Sequence, residues 1–410
     1  MKEQLIAAKI TVHRGSNEIG GTCIQISTSS TTILLDIGLP LNGIEEEPST
    51  VEYDLPDLPQ KIDAVFISHY HKDHWGLAGL LKESTPLYLP GKAKDLLLMQ
   101  QRLLGRDQNS FLHTSKPYKP GETLHIGDIT VKTHLVDHSA MDACAFEIDA
   151  DGERIVYTGD FRKHGRKGKL WYKFINDIES PVDKLICEGT MLSRTDSKVP
   201  TEDELEKRAI EILKTHEGGL ALGWGSSVNF DRITTFYRVA KQTGRELAVD
   251  IFIAHMLSIA ARGTGLPDPK TFDDIRVYYP PAISNMITKS CGSEMLYPYK
   301  NKKLSREESN ANPGKYLILT RPSCRPRWLD QITNWENSVL FYSQWSGYRK
   351  LKKNDNFLSW LYTKGCRDVT LHTSGHADPD TIRRTIEKLN PSEVIPVHTE
   401  NPGWFSNRDK

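Results

Sequence analysis

The sequence lacks several features that would each indicate a specialised class of protein. No run of about 18 apolar residues is present, which excludes a membrane-spanning helix. Neither sign of charge is in excess, since 53 Lys and Arg balance 53 Asp and Glu. A polybasic tail protein and an acidic disordered chain are therefore excluded, whereas an enzyme with a local basic groove is not.

Cysteine is scarce and scattered. The six cysteines form no Cys-x-x-Cys pair, and the apolar run near Met1 is too short for the core of a secretory signal peptide. We therefore expect reduced thiols and a cytoplasmic protein. Internal repeats and low-complexity segments are also absent, and the 38% hydrophobic and 26% charged residues are typical of a globular chain.

The 410 residues correspond to two or three domains at roughly 150 residues each. In the first half, short β-rich runs alternate with turns, and helical patterns cover about 76–84 and 91–104. The strands predicted there are 22–27, 31–37, 64–68, 129–136, 143–148 and 154–159. Many strands with intervening helices predict packed sheets that are covered by helices.

The pattern changes from about residue 200. Thr201-Glu-Asp-Glu is a helix N-cap signal, and strands and helices then alternate as in a doubly wound parallel sheet. Residues 263–313 carry no clear pattern. The later predicted elements are strands at 220–224, 246–249, 316–320, 339–343, 368–372 and 394–397, and helices ending near 216, 243 and 389.

Four potential metal ligands follow the apolar strand predicted at 64–68, in the segment His69-Tyr-His71-Lys-Asp73-His74. Two divalent ions about 3.5–4 Å apart need many ligands that converge from both sides. A loop leaving a strand end can direct His69 and His71 to one ion, while Asp73 and His74 reach the other. Imidazole and carboxylate suit zinc or manganese. The lack of cysteine in this cluster argues against a structural zinc site.

Further candidates repeat this arrangement of a strand end followed by a ligand. His138, Asp160 and His398 each stand at or just after a predicted strand. Each is a weak signal alone, but together with the first cluster they complete two metal sites. Asp36 also follows a strand, and we predict that it supports a ligand from behind.

These residues form a recognisable set, namely Asp36, His69, His71, Asp73, His74, His138 and Asp160. The set resembles the metallo-β-lactamase superfamily. The resemblance implies an α/β fold, an αββα sandwich with a dinuclear site along one sheet edge. It also implies one ion on His69, His71 and His138, a second on Asp73, His74 and His398, and Asp160 between them.

Three later residues resemble the additional motifs of the β-CASP nuclease branch of that superfamily. They are Glu188 at a strand end, His376 before a helix, and His398, which follows 398 − 376 = 22 residues later. Segments 225–232 and 243–249 resemble the inserted domain of the ribonuclease J group. The resemblance implies a metallo-β-lactamase domain over 1–195, an inserted doubly wound α/β β-CASP domain over 196–364, and a return to the first domain over 365–410.

The resemblance implies hydrolysis of a phosphodiester. Two metal ions, zinc or alternatively manganese, would activate water at a site that includes Asp73, and His376 would act as general acid held by Glu188. Basic residues over 162–173, with Trp171 and Tyr172, predict a basic lip, a surface beside the metal site that binds a nucleic-acid strand. Candidate phosphate- or substrate-binding residues are His372, Ser374, Gly375, Ser226, Ser227 and Asn229.

We therefore predict a ribonuclease that acts on single-stranded RNA, with exonuclease and endonuclease action both open. One alternative is a DNA nuclease, because neither the metals nor His376 requires a 2′-hydroxyl. Another is a small-molecule hydrolase acting on a thioester, a lactone or a cyclic nucleotide. A third is a nucleic-acid-binding module with an inactive site. We expect no membrane partner, and monomer and homodimer both remain possible.

Overall fold

The computed structural model describes residues 7–41, 53–106, 111–194, 199–216 and 218–406. Within that part of the chain, no helix is both long enough and apolar enough to cross a membrane. The chain divides into two compact units. Unit 1 comprises 1–94, 110–199 and 375–410, and unit 2 comprises 95–109 and 200–374. The sequence placed these changes of domain at 195/196 and 364/365.

The strands in the described residues are β1 (Lys9–Arg14), β2 (Cys23–Ser27), β3 (Thr32–Leu35), β4 (Ala64–Phe66), β5 (Leu87–Pro90), β6 (Lys116–Tyr118), β7 (Thr123–Ile126), β8 (Ile129–Leu135), β9 (Cys144–Ala150), β10 (Glu153–Tyr157), β11 (Lys184–Glu188), β12 (Ala221–Trp224), β13 (Glu246–Asp250), β14 (Ile275–Tyr278), β15 (Tyr316–Leu319), β16 (Val339–Tyr342), β17 (Arg367–Thr370) and β18 (Glu393–Val397). The α-helices are α1 (Lys72–Trp75), α2 (Gly91–Leu103), α3 (Lys169–Asp177), α4 (Glu202–Lys214), α5 (Phe230–Gln242), α6 (Ile251–Ala261), α7 (Pro281–Cys291), α8 (Arg306–Ala311), α9 (Lys352–Thr363), α10 (Pro379–Leu389) and α11 (Gly403–Ser406).

Unit 1 contains two six-stranded sheets. Their strand orders are β1-β2-β3-β4-β5-β6 and β18-β11-β10-β9-β8-β7. The inner faces share one core, in which Ile33 and Phe66 of the first sheet pack with Phe146 and Ile186 of the second. Apolar residues recur at every second position of these strands, because alternate residues of a strand face the same side of the sheet.

The other face of the second sheet is covered by helices α3 and α10. Val156 and Leu185 point to that side and form a second core with Trp171 and Ile382. Apolar residues at i, i+3 and i+4, such as Trp171, Phe174 and Ile175, give α3 its buried stripe. Two sheets packed face to face with helices outside confirm the predicted α/β sandwich.

Unit 2 is built on a six-stranded sheet in the order β14-β13-β15-β12-β16-β17, in which every pair is parallel. The capping box predicted at Thr201 is present, because its side chain accepts a hydrogen bond from Glu204 N–H and the Glu204 side chain accepts one from Thr201 N–H. The segment 263–313, which has no clear sequence pattern, supplies β14, α7 and α8. Strand β17 belongs to this sheet, so the chain returns to unit 1 at Gly375.

The helix predicted at about 76–84 is wrong. The chain instead forms the short helix α1 and then a 3-10 turn at Ala78–Leu80. Gly76 and Gly79 lie within the predicted span, and glycine costs about 1 kcal/mol relative to alanine inside a helix. Because this helix starts at Lys72, His74 lies on α1.

Candidate metal centre

The predicted ligands follow strands whose carboxyl ends point the same way within each sheet. Strands β3 and β4 are parallel in the first sheet. In the second, β10, β11 and β18 are parallel, and β8 runs with them because it is antiparallel to β9, which is antiparallel to β10. Polar residues at the ends of these strands therefore gather at one edge of each sheet. They are Asp36 and His69 in the first sheet, and His138, Asp160, Glu188 and His398 in the second.

Three histidines form the first group of candidate ligands. His69 Nε2 and His138 Nε2 each lie 3.1 Å from His71 Nδ1. The opposite ring nitrogen of His138 lies 2.6 Å from the carbonyl of Gly375, to which it donates, and this leaves Nε2 as the electron-pair donor. Three ring nitrogens that meet at one point suit a divalent cation.

Burial keeps these histidines in the form that binds metal. Desolvation lowers the pKa of His69 and of His138 well below the ordinary value, and it lowers the pKa of His71 to about 4. Neutral imidazole is the ligand form of histidine. The first group is therefore prepared to bind a cation at neutral pH.

The second group comprises Asp73, His74, Asp160 and His398, whose ligand atoms lie within 4.8 Å of one another. His74 Nε2 is 3.1 Å from Asp160 Oδ2, and His398 Nε2 is 3.3 Å from Asp73 Oδ2. Asp160 Oδ1 is buried and accepts no hydrogen bond from the described residues. An unpaired buried carboxylate oxygen is costly, and a cation at this position would satisfy it.

Asp160 belongs to the second group and also approaches the first. Its Oδ2 is also 3.8 Å from His69 Nε2 in the first group. Burial alone would raise the pKa of Asp160, but His398 and His74 outweigh burial, and the pKa lies well below the ordinary value. The carboxylate is therefore ionised and placed to contact a cation in either group.

Asp36 contacts the ring edge of His74 that faces away from Asp160. His74 Nδ1 donates to Asp36 Oδ2 at 2.7 Å, so its Nε2 is directed at Asp160. Ser68 N–H and the Tyr157 hydroxyl also donate to this carboxylate, both at 2.7 Å. Asp36 has φ of 59°, a left-handed conformation that Asp and Asn adopt more readily than most residues.

A third group extends the centre beyond the metal ligands. His376 Nδ1 lies 3.4 Å from Glu188 Oε2 and 3.5 Å from Asp160 Oδ2. Burial lowers the pKa of His376, but the two carboxylates outweigh burial and raise it above the ordinary value. Glu188 is fixed in turn, because Oε1 accepts hydrogen bonds from Phe161 N–H at 3.3 Å and Ala377 N–H at 3.2 Å.

Two family models match this chain. One, described as the metallo-beta-lactamase superfamily, matches residues 17–206, and the other, described as a Zn-dependent metallo-hydrolase RNA specificity domain, matches residues 366–402. The two matched ranges together cover more than half of the chain and hold every ligand placed above. The chain belongs to the metallo-beta-lactamase superfamily. The resemblance inferred from the sequence is confirmed, and the buried His and Asp groups form a centre for divalent metal.

Relatives within the superfamily match almost the whole chain. A ribonuclease J of Pyrococcus abyssi is 23% identical over 98% of this chain and 91% of its own length. An RNase J-like protein of Methanocaldococcus jannaschii is 28% identical over 95% of this chain and 91% of its own length. A crystal structure of a protein of unknown function from Enterococcus faecalis has a TM-score of 0.73 at 21% identity, over 97% of this chain and 95% of that one. The last similarity shows the fold alone.

Thr190 is a site residue that the sequence reasoning did not assign. Its hydroxyl lies 2.8 Å from His398 Nδ1 and 3.1 Å from His376 Nδ1, and the residue is buried. It therefore links the candidate ligand His398 to His376. Its position two residues after Glu188, at the same strand end, is the signal that could have indicated it.

The predicted phosphate-binding residues are divided between the two units. Gly375 lies in unit 1, where its carbonyl accepts from His138. Ser226, Ser227, Asn229, His372 and Ser374 belong to unit 2. There the Asn229 side chain caps α5 by accepting from Arg232 N–H at 3.0 Å, and Ser227 accepts from Arg321. Their role toward phosphate stays a prediction.

The basic lip predicted over 162–173 needs correction. Trp171 is buried in the core against α10, and its ring N–H donates to Thr385 Oγ1 at 2.9 Å, so it is not available for stacking. Arg162 is also buried, where it pairs with Asp137 at 3.3 Å. Tyr172 remains 50% exposed, on the outer face of α3.

Proposed function

We propose that this chain is a metal-dependent ribonuclease that hydrolyses phosphodiester bonds of single-stranded RNA. The observation that carries the proposal is the arrangement of two candidate ligand groups around Asp160, with His376, which pairs with Glu188, 3.5 Å from the same carboxylate. The relatives named ribonuclease J, which match along nearly the whole chain, support RNA as the substrate.

We assign the metal ligands as follows. One ion would be held by His69, His71 and His138, and the other by Asp73, His74 and His398, with Asp160 between them. The mixture of imidazole and carboxylate, with no thiolate, supports zinc, and manganese is the alternative. When bound, two such ions supply positive charge that acidifies water and stabilises the phosphoryl oxygens in the transition state.

His376 is the general acid in this proposal. The Nδ1 edge of its ring faces Glu188, Asp160 and Thr190, so we assign Nε2 to the leaving 3′-oxygen of the RNA. The imidazole is 20% exposed, which lets a substrate reach it, while Glu188 is 1% exposed. The buried carboxylate stabilises the protonated ring and sets its orientation, and the ring can then donate a proton as the P–O bond breaks.

Two segments ahead of helices carry donors that could bind the phosphates of the RNA. We propose that Ser374 and Gly375, just before α10, present backbone N–H groups to a phosphate, with His372 beside them in sequence. We propose that Ser226, Ser227 and the start of α5 contact a second phosphate. Both assignments rest on hydroxyl and backbone N–H donors ahead of a helix, which are groups that bind phosphate oxygens.

The test is an Asp73→Asn variant, which keeps the shape of the side chain and removes its charge. With labelled single-stranded RNA and Zn²⁺, cleavage by this variant should fall at least about 100-fold, because loss of a metal-ligand charge weakens both binding and charge stabilisation. Asp57→Asn, at an exposed position, is the matched control and should cleave normally. Normal cleavage by folded Asp73→Asn protein would refute the proposal.

The same assay separates the alternatives. RNA and DNA of one sequence distinguish a ribonuclease from a DNA nuclease, and a thioester, a lactone and a cyclic nucleotide test small-molecule hydrolysis. RNAs with a 5′-monophosphate, a 5′-triphosphate and a 5′-hydroxyl then show the direction of cleavage. Mononucleotides released only from the 5′-monophosphate substrate would identify a 5′ exonuclease, and internal fragments from all three would identify an endonuclease.

A further inference from the structure

The loop that follows strand β16 lies at the carboxyl edge of the parallel sheet in unit 2. Strands β12, β15, β16 and β17 are mutually parallel there, so the residues after each strand share that edge. In doubly wound sheets, ligands bind outside the carboxyl ends of the strands. The segment after β16 reads Ser343-Gln-Trp345-Ser-Gly347-Tyr348-Arg349-Lys350-Leu-Lys352-Lys353.

Trp345 is held at this edge with its ring partly open to solvent. The side chain is 38% exposed. The indole lies against Gly347, where an added Cβ would overlap the ring. The buried Tyr342 hydroxyl donates to the Trp345 carbonyl at 3.3 Å, and the Tyr348 ring meets the indole edge-on at 5.4 Å. The backbone and the supporting rings therefore present a rigid aromatic surface.

Three lysines follow this surface in the sequence. Lys350, Lys352 and Lys353 are exposed, and no described residue forms an ion pair with any of them. Arg349 differs, because it pairs with Asp368 at 2.7 Å and lies 3.9 Å over the Tyr342 ring. The three lysines give the segment a local positive charge within a chain whose formal net charge is zero.

We propose that Trp345 stacks on a base of the single-stranded RNA substrate and that Lys350, Lys352 and Lys353 bind the adjacent phosphates. An exposed aromatic ring beside exposed cations is the combination that binds a single strand without sequence preference, because every base has a flat π-face. A duplex would keep its bases stacked inside and could not use the ring. The inference rests on the proposed function and names how the same substrate is bound.

The test measures RNA binding with EDTA present, so that binding is observed without cleavage. A short fluorescent oligouridylate should bind Trp345→Ala about 5-fold to 150-fold more weakly than the unmodified chain, because one stacked base is lost. Trp345→Phe should retain much of the affinity, and Gly347→Ala should lose affinity because its Cβ displaces the indole. Tyr297→Ala, at a tyrosine that is 61% exposed, is the control and should bind normally.

Two further measurements separate base stacking from a general attraction to the phosphate backbone. An abasic oligomer of the same length should bind Trp345→Ala and the unmodified chain equally, because it offers no base. Replacing the three lysines with glutamine should make binding less sensitive to salt. The slope of log binding constant against log salt concentration should become shallower by about 0.7 for each phosphate that the protein no longer neutralises. Unchanged oligouridylate affinity in both Trp345→Ala and Gly347→Ala, while Zn²⁺-dependent RNA cleavage persists, would overturn the inference and leave the proposed function intact.

Discussion

Replacing Thr190 with valine should uncouple two histidines of the metal centre without changing the shape of the core. Valine matches threonine in volume and lacks the hydroxyl. Thr190 is 1% exposed, and its Oγ1 is the described hydrogen-bond partner of His398 Nδ1 at 2.8 Å. Without it, His398 loses the hydrogen bond that directs Nε2 toward Asp73, and His376 loses one of the groups that hold its Nδ1 edge.

The expected magnitude follows from these hydrogen bonds. Removing the partner of a ligand histidine typically costs 10-fold to 100-fold in metal affinity or activity, or about 1.4–2.7 kcal/mol. In addition, a buried ring N–H left without an acceptor costs about 1–3 kcal/mol. We therefore expect Thr190→Val to bind Zn²⁺ more weakly by at least about tenfold and to lose kcat by a similar factor, because His376 is misplaced as well.

Thr190→Ser is the matched variant, because it restores the hydroxyl while losing only a methyl group. Zn²⁺ affinity is measured by competition with a coloured chelator, kcat by RNA cleavage at saturating substrate, and folding by thermal denaturation. A purely structural role would lower the melting temperature of both variants together with their activity. The reasoning is refuted if valine retains Zn²⁺ affinity and kcat, or if serine recovers no more than valine does.

Three further predictions concern separate parts of the chain. Asp36→Asn keeps the backbone preference at φ of 59° and should weaken Zn²⁺ binding about 10-fold to 100-fold by weakening its hold on His74, as measured by chelator competition. Glu202→Gln breaks a buried bidentate pair with Arg232 at 3.0 and 3.2 Å, and urea denaturation should show a loss of about 3–5 kcal/mol. Adding Zn²⁺ at about 100 times its Kd should stabilise the metal-free protein by about 2.7 kcal/mol, and an unchanged melting temperature would contradict the assigned centre.

The sequence indicated the candidate ligands because their chemistry is local. His69, His71, Asp73 and His74 lie within six residues after an apolar strand, so one loop brings them together whatever the rest of the chain does. His138, Asp160 and His398 needed one more premise, that parallel strands end at one sheet edge. The strand directions in both sheets of unit 1 agree with that premise, and the fold also brings Glu188 and His376 within 3.4 Å across 188 residues of sequence.

Predictions that depended on packing were less successful. Trp171 stands between Lys169 and Lys173, which suggested an exposed ring, yet Phe174 and Ile175 follow at the helical spacing of i+3 and i+4 and turn that side of α3 into the core. The spacing was present in the sequence, but the charged neighbours obscured it. Thr190 could not be assigned, because a hydroxyl becomes informative only once the two histidines around it have been placed.

Tyr157 shows why the metal centre and the core of unit 1 cannot be varied independently. Its ring packs in the shared core with Phe146, with ring centres 6.1 Å apart, and its hydroxyl donates to Asp36 Oδ2 at 2.7 Å. Asp36 in turn orients His74, so two hydrogen bonds connect the packed core to a candidate metal ligand. The candidate ligands come from the strand ends of both sheets. They can meet only when the two sheets pack against each other in the correct relative position. The shared core therefore prepares the site for its cations, and bound cations should stabilise the core in return.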